Sequence, residues 1–185
     1  MKILFVTRSY NSLTQRLHVE LAALGHAVSI EFDIADSVTE EAVALFRPDV
    51  VIAPFMKRAI PERVWRKVRC LIVHPGIVGD RGASALDWAI VDGEREWGVT
   101  VLQAEAELDA GPVWAAETFP MLDVADGATK SSLYRNEVTE AAVRAVLAAL
   151  ERIARGQHVP QRAQPGTVGV RGRARPPMQQ GDRAL

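Results

Sequence analysis

A single cysteine, Cys70, is all the thiol chemistry available in these 185 residues. That excludes internal disulfides and thiolate zinc clusters and fits a reducing compartment, so a cytoplasmic location is expected. Charge of one sign is missing as well. Lys and Arg number 22 against 23 Asp and Glu, leaving no overall basic field to hold nucleic acid or an anionic membrane, and neither partner is expected. The longest apolar runs, such as residues 50–56, are far below bilayer-spanning length. The opening apolar stretch meets Arg8 rather than a small-residue cleavage site, which argues against a secretory leader. What is present is ordinary globular material, 48% apolar with a mean hydropathy of +0.01, enough for one α/β domain with a tail.

Several catalytic signatures are absent too. The loop after the first expected strand, Arg8-Ser9-Tyr10-Asn11, has no glycine, whereas a dinucleotide pyrophosphate needs glycines to approach the backbone. No GxxxxGK[ST] loop occurs, and Ser84 lies in GASAL rather than a GxSxG elbow, so ATPase and α/β-hydrolase chemistries lack their anchors. The histidines His18, His26, His74 and His158 show no paired helical spacing, and no metal site is expected. Cys70 and His74 on one strand would stand about 13 Å apart, too far for a nucleophile dyad, which leaves Cys70 as core filler.

The periodicity is that of a mostly parallel sheet with helices on both faces, a Rossmann-like α/β class. Strands are expected at Lys2–Thr7, Ala27–Phe32, 49–53, 71–73, 99–103 and 113–119. Helices are expected from Ser12, its expected cap, to before Gly25, over 39–46, around 84–91, and from Thr129 or Ser131 to Arg155. In the last, Tyr134, Val138, Ala142, Val146, Leu150 and Ile153 share a face. Residues 1–156 would then form the domain and 157–185, rich in Pro, Gly and Arg, a solvated linker or tail. Function in an open parallel sheet lies at the carboxyl ends of the strands. Arg8, Asn11, Ser12 and Gln15 cluster at one such place, a helix start that favours an anion, with capping and solvated charge as the plainer alternative.

The informative stretch runs from Cys70 to Gly111, CLIVHPGIVGDRGASALDWAIVDGEREWGVTVLQAEAELDAG. A strand-end histidine, an RG loop, a GVT strand and an LDAG turn follow in that order. This order resembles the signature of 10-formyltetrahydrofolate-dependent formyltransferases, over about residues 1–155. Asn11 to Leu17, Glu31 to Ile34, Ala53 to Pro61, His74 to Gly82 and Ser84 to Ile90 further resemble a hydrogenase-maturation branch of that family.

The resemblance implies formyl transfer from 10-formyltetrahydrofolate, with coenzyme A as acceptor and a step toward the CO ligand of NiFe hydrogenase. It implies partners in a crotonase-like region or in other hydrogenase-maturation proteins, with a folate hydrolase or an inactive folate-binding module as alternatives. It implies catalysis by His74, with Asp109 orienting it; the plainer readings are a hydrogen-bonded core histidine and a turn acid. It implies a pterin pocket walled by Phe55, Met56, Lys57, Ile60 and Ile72, although Phe55 and Met56 would serve equally as core. Arg8, Gln15 and Arg81 are the candidate anion ligands, with ordinary loop charge as the alternative. Trp88 and Trp97 read as packing residues. At Ile72 the family pattern has an asparagine that donates to the reacting carbonyl, and losing such a donor elsewhere costs about 3–4 kcal/mol of barrier. A thiolate acceptor would lower that demand, being more nucleophilic than an amine held as ammonium. The loop from His74 to Arg81 is also one residue shorter than in the tRNA-modifying members.

Overall fold

The computed structural model describes residues 1–121, 127–160, 162 and 170–179. Its strands are β1 (Lys2–Thr7), β2 (Ala27–Phe32), β3 (Val50–Ala53), β4 (Cys70–His74), β5 (Glu96–Gln103) and β6 (Val113–Pro120). Their order in the sheet is β2-β1-β3-β4-β5-β6, and β1 pairs parallel with both β2 and β3, as β3 does with β4. Of the strands flanked on both sides, β1, β3 and β4 are largely apolar runs. Val50–Ala53 is buried throughout, whereas the edge strands β2 and β6 are only partly covered. The order places a topological switch between β1 and β3, where an open α/β sheet leaves a crevice for ligands.

The helices are α1 (Ser12–Ala23), α2 (Asp36–Phe46), α3 (Glu62–Trp65), α4 (Ala85–Val91), α5 (Lys130–Leu133) and α6 (Thr139–Ala154). Helix α1 buries Leu13, Leu17 and Leu21 at the expected spacing and stops before Gly25, whose φ of 83° suits glycine. Its cap is Asn11, not Ser12: the Asn11 side chain accepts from Thr14 N at 3.0 Å. Helix α2 begins at Asp36, earlier than the expected 39, and α3 is a short turn that periodicity could not reveal. The last helical stretch starts at a Thr129–Ser132 capping box as one of the two expected starts requires. It contains a π-helical turn, Tyr134–Val138, where the Thr139 hydroxyl donates to Tyr134 O at 2.8 Å. Helix α6 packs on β6, and Ala141, Ala142, Ala145 and Ala149 are among its buried residues.

The chain divides into two compact units, Met1–Val73 with Leu102–Gly111, and His74–Val101 with Pro112–Leu185. The core of the first includes Leu4, Val6, Val51, Ala53, Ile60, Val64 and Cys70. The second centres on Trp97, Trp114, Val138 and Val146, all essentially inaccessible to solvent. Among the described residues no helix is long and apolar enough to cross a membrane, and no cluster of His, Cys, Asp or Glu could hold a metal ion. Residues 170–179, expected to be solvated tail, instead hydrogen-bond within the second unit to the loop and helix of residues 81–88; 161, 163–169 and 180–185 of that tail lie outside the described residues.

Candidate active site

His74 is the last residue of β4 and only 4% exposed. A buried imidazole must find a partner, and His74 Nε2 donates to Asp80 Oδ2 at 2.9 Å, with Asp80 itself 2% exposed. A carboxylate accepts, so this bond calls for the ring proton to sit on Nε2. Breaking one partner out of such a buried pair costs about 3–5 kcal/mol, so the ring is held in one orientation.

The turn that joins the two residues is built around that bond. Gly76 faces it closely: a Cβ there would lie 2.6 Å from Asp80 Oδ2 and 2.7 Å from His74 Cδ2. The turn's carbonyls are fastened from β5, where Trp97 Nε1 donates to Pro75 O at 2.9 Å and the buried Thr100 hydroxyl donates to Gly76 O at 2.7 Å. Trp97 is thus the packing residue expected, with an added anchoring bond. The Asp80 amide closes the turn on Ile77 O at 2.9 Å. Asp80, Gly76 and Thr100 were not singled out in the sequence. The available signal was the acid of the GDRG loop, six positions after the histidine and beside two glycines.

The first unit carries the switch point between β1 and β3. Its two loops are latched together by Arg8 N donating to Phe55 O at 2.8 Å, with the Thr7 hydroxyl 3.2 Å from the same oxygen. Arg8 is exposed, and Gln15 Nε2 donates to Tyr10 O at 2.8 Å, bracing the loop that carries Arg8. Phe55 and Met56 are half-buried and Lys57 is exposed. Ile60 sits within the core cluster at 4% exposure, and Met56 and Ile72 rest on that cluster. Asp33, directly after β2, is a buried carboxylate missed in the sequence, although EFD places an acid at a strand end. Its Oδ2 has no hydrogen-bond partner among the described residues.

Asp109 also belongs to the first unit and adopts a left-handed backbone with φ of 53°, as its turn sequence requires; Asp tolerates that region better than most residues. Arg81 belongs to the second unit, half-buried, with its backbone paired to residues 173 and 175. Cys70 is inert: burial pushes its thiol up to about 12, and Sγ donates to Val68 O at 3.3 Å.

Comparison with known proteins is consistent with this layout. The formyl transferase family model matches residues 11–150. Hydrogenase maturation factor HoxX of Bradyrhizobium diazoefficiens is 58% identical over the whole chain, which spans 32% of that protein. The crystal structure of HypX from Aquifex aeolicus in complex with tetrahydrofolic acid superposes with a TM-score of 0.91 at 50% identity, covering 100% of this chain and 31% of that one. Glycinamide ribonucleotide transformylase 1 from Symbiobacterium toebii, at 20% identity and a TM-score of 0.71 over 87% of this chain and 91% of its own, shares the fold. The chain thus spans about a third of the length of HoxX and HypX.

Proposed function

The chain belongs to the formyl transferase family, and from that premise we propose that it transfers the formyl group of 10-formyltetrahydrofolate to the thiol of coenzyme A during hydrogenase maturation. The observation that carries the reading is the buried His74–Asp80 pair at the end of β4, in a chain that matches a tetrahydrofolate-bound relative over its full length. Transfer requires attack by the acceptor sulfur on the formyl carbon, steadying of the tetrahedral oxyanion, a proton to N10 as the C–N bond breaks, and loss of the thiol proton. His74, fixed in one tautomer by Asp80, serves as the proton-carrying group, and Asp109 as the second catalytic residue. The latched loops at Arg8 and Phe55 form the folate-binding crevice of the first unit, with Phe55 and Met56 against the pterin, Arg8 and Gln15 taking anionic groups, and Lys57, Ile60 and Ile72 completing or supporting its walls; Arg81 is a separate candidate anion ligand on the second unit. Ile72 offers no amide donor to the oxyanion, which is consistent with a thiolate acceptor. Later steps toward CO belong to the crotonase-like region or other maturation proteins that this reading takes as partners.

The test is mass-spectrometric detection of formyl-CoA after incubation with 10-formyltetrahydrofolate and coenzyme A. Formyl-CoA is expected from the wild type and none from a folded His74→Ala variant. Formate released at the same rate without coenzyme A would replace the reading with a hydrolase. Folate binding without any turnover would replace it with a binding module.

A further inference from the structure

Residues 170–179 are rich in arginine and proline, yet they make a series of hydrogen bonds and ion pairs with the rest of the second unit. Arg81 N donates to Arg173 O at 3.2 Å and Arg175 N donates to Arg81 O at 3.1 Å, a parallel bridge laid along the loop that carries Asp80. Farther on, Trp88 Nε1 donates to Pro176 O at 2.9 Å, and Met178 N donates to Ser84 Oγ at 3.0 Å, with the Met178 side chain buried. The arginines that made this stretch read as solvated tail have carboxylate partners: Arg171 meets Glu96 at 3.2 Å, and Arg173 and Arg175 share Asp92.

Glycines on both sides of the contact are shaped by it. Gly172 lies flat against the backbone of the Asp80 loop: a Cβ there would stand 2.5 Å from Val78 O, and closer still to Gly79 C and Asp80 N. On the loop, Gly79 and Gly82 have φ of 88° and 117°, and their Cβ atoms would meet Val170 and Arg175 O, each at 2.5 Å. A loop with two such glycines has wide conformational freedom of its own, and aiming one carboxylate at one ring nitrogen requires that freedom to be removed.

We propose that residues 170–179 are a positioning strap for the reacting histidine, seating Gly172 on the Asp80 backbone so that the Asp80 carboxylate meets His74 Nε2. The inference rests on the reading of His74 as the proton-carrying group. Gly172 and its neighbours act through Asp80 and touch no reacting atom. Catalytic competence then extends past the last helix of the domain into a segment that composition assigns to solvent.

The deciding experiment is Gly172→Ala with two readouts. The first is kcat for formyl-CoA formation beside the Kd for tetrahydrofolate. The second is the exchange rate of the His74 Nε2–H proton with water, followed by NMR, which needs no turnover. The strap predicts at least a tenfold loss in kcat, a Kd unchanged within about twofold, and at least tenfold faster Nε2–H exchange. A lower melting temperature with kcat and Nε2–H exchange both unaltered would overturn it. If Gly172→Ala fails to fold, Trp88→Phe, which removes the bond to Pro176 O and trims the ring that Arg175 covers, takes its place with about threefold faster exchange expected; unchanged exchange overturns the strap. If the wild type transfers no formyl group, the functional reading fails while the exchange measurement still decides the strap.

Discussion

Substituting Gly76 by alanine would drive a methyl group into the His74–Asp80 bond. Taking about 3.4 Å as the near limit of ordinary contact, an added Cβ at 2.6 Å from Asp80 Oδ2 obliges that oxygen to withdraw by about 0.8 Å, and the imidazole by at least as much. The backbone has little room to yield, because Gly76 O is tied to Thr100 at 2.7 Å. A bond of 2.9 Å so stretched passes beyond hydrogen-bonding distance. The loss of a buried charged bond costs about 1.5–3 kcal/mol and overpacking about 1–3 kcal/mol. Lower entropy of the unfolded chain returns about 0.4–1 kcal/mol, leaving a net destabilisation of about 3 kcal/mol. With an m-value of about 2 kcal/mol/M, the urea midpoint should fall by about 1.5 M, and formyl transfer should be lost with it. The same substitution in a His74→Ala background meets an emptied site, so its cost should shrink to about 1 kcal/mol, a coupling of about 2 kcal/mol. Equal costs in the two backgrounds would show that the methyl does not act through this pair and refute the geometry.

Three further outcomes follow from the structure. Cys70 ionises near its ordinary value of 9.0 when unfolded but only near 12 when folded, so the folded state retains the proton between those values and its stability falls as pH rises above 9. At pH 10 the loss is about 1.4 kcal/mol relative to pH 7 from this group, and a folded Cys70→Ala variant should lack that component of the decline in urea titrations at the two pH values. Asn11→Ala removes the cap on α1 and should cost about 1 kcal/mol by the same method, whereas Ser12→Ala should cost less than half as much. Asp109→Asn keeps a residue that tolerates the left-handed backbone, so stability should hold within about 0.5 kcal/mol while kcat falls at least tenfold; undiminished turnover would remove Asp109 from the chemistry.

The parts of the fold that could be read in advance are those where one physical demand dominates. Strands β1, β3 and β4 are buried on both faces, which forces unbroken apolar runs, and the leucines of α1 recur at 13, 17 and 21 because one face meets the sheet. Where two demands compete, reading failed. Asn11 and Ser12 are both good caps, and only the backbone geometry decides between them. The π-turn at Tyr134–Val138 leaves the apolar spacing nearly intact and so has no signature in periodicity. The arginines of 170–179 signal disorder by composition because composition cannot see Asp92, Glu94 and Glu96 waiting some eighty residues earlier.

The site divides along the same line. His74 was nominated because an ordered set of motifs surrounds it, and Arg8 and Phe55 because loops at strand ends are where a doubly wound sheet binds ligands. Asp80 was not, although it is six residues from His74, because an acid between glycines in a loop is indistinguishable from turn chemistry until its burial is known. The glycines carry the missing information. Gly76, Gly79 and Gly172 are each required by a close approach to the Asp80 loop or the His74–Asp80 bond, and a close approach relates residues that one-dimensional spacing cannot join. A histidine can therefore be nominated from sequence, but the carboxylate that fixes its tautomer has to be found from what the neighbouring glycines leave no room for.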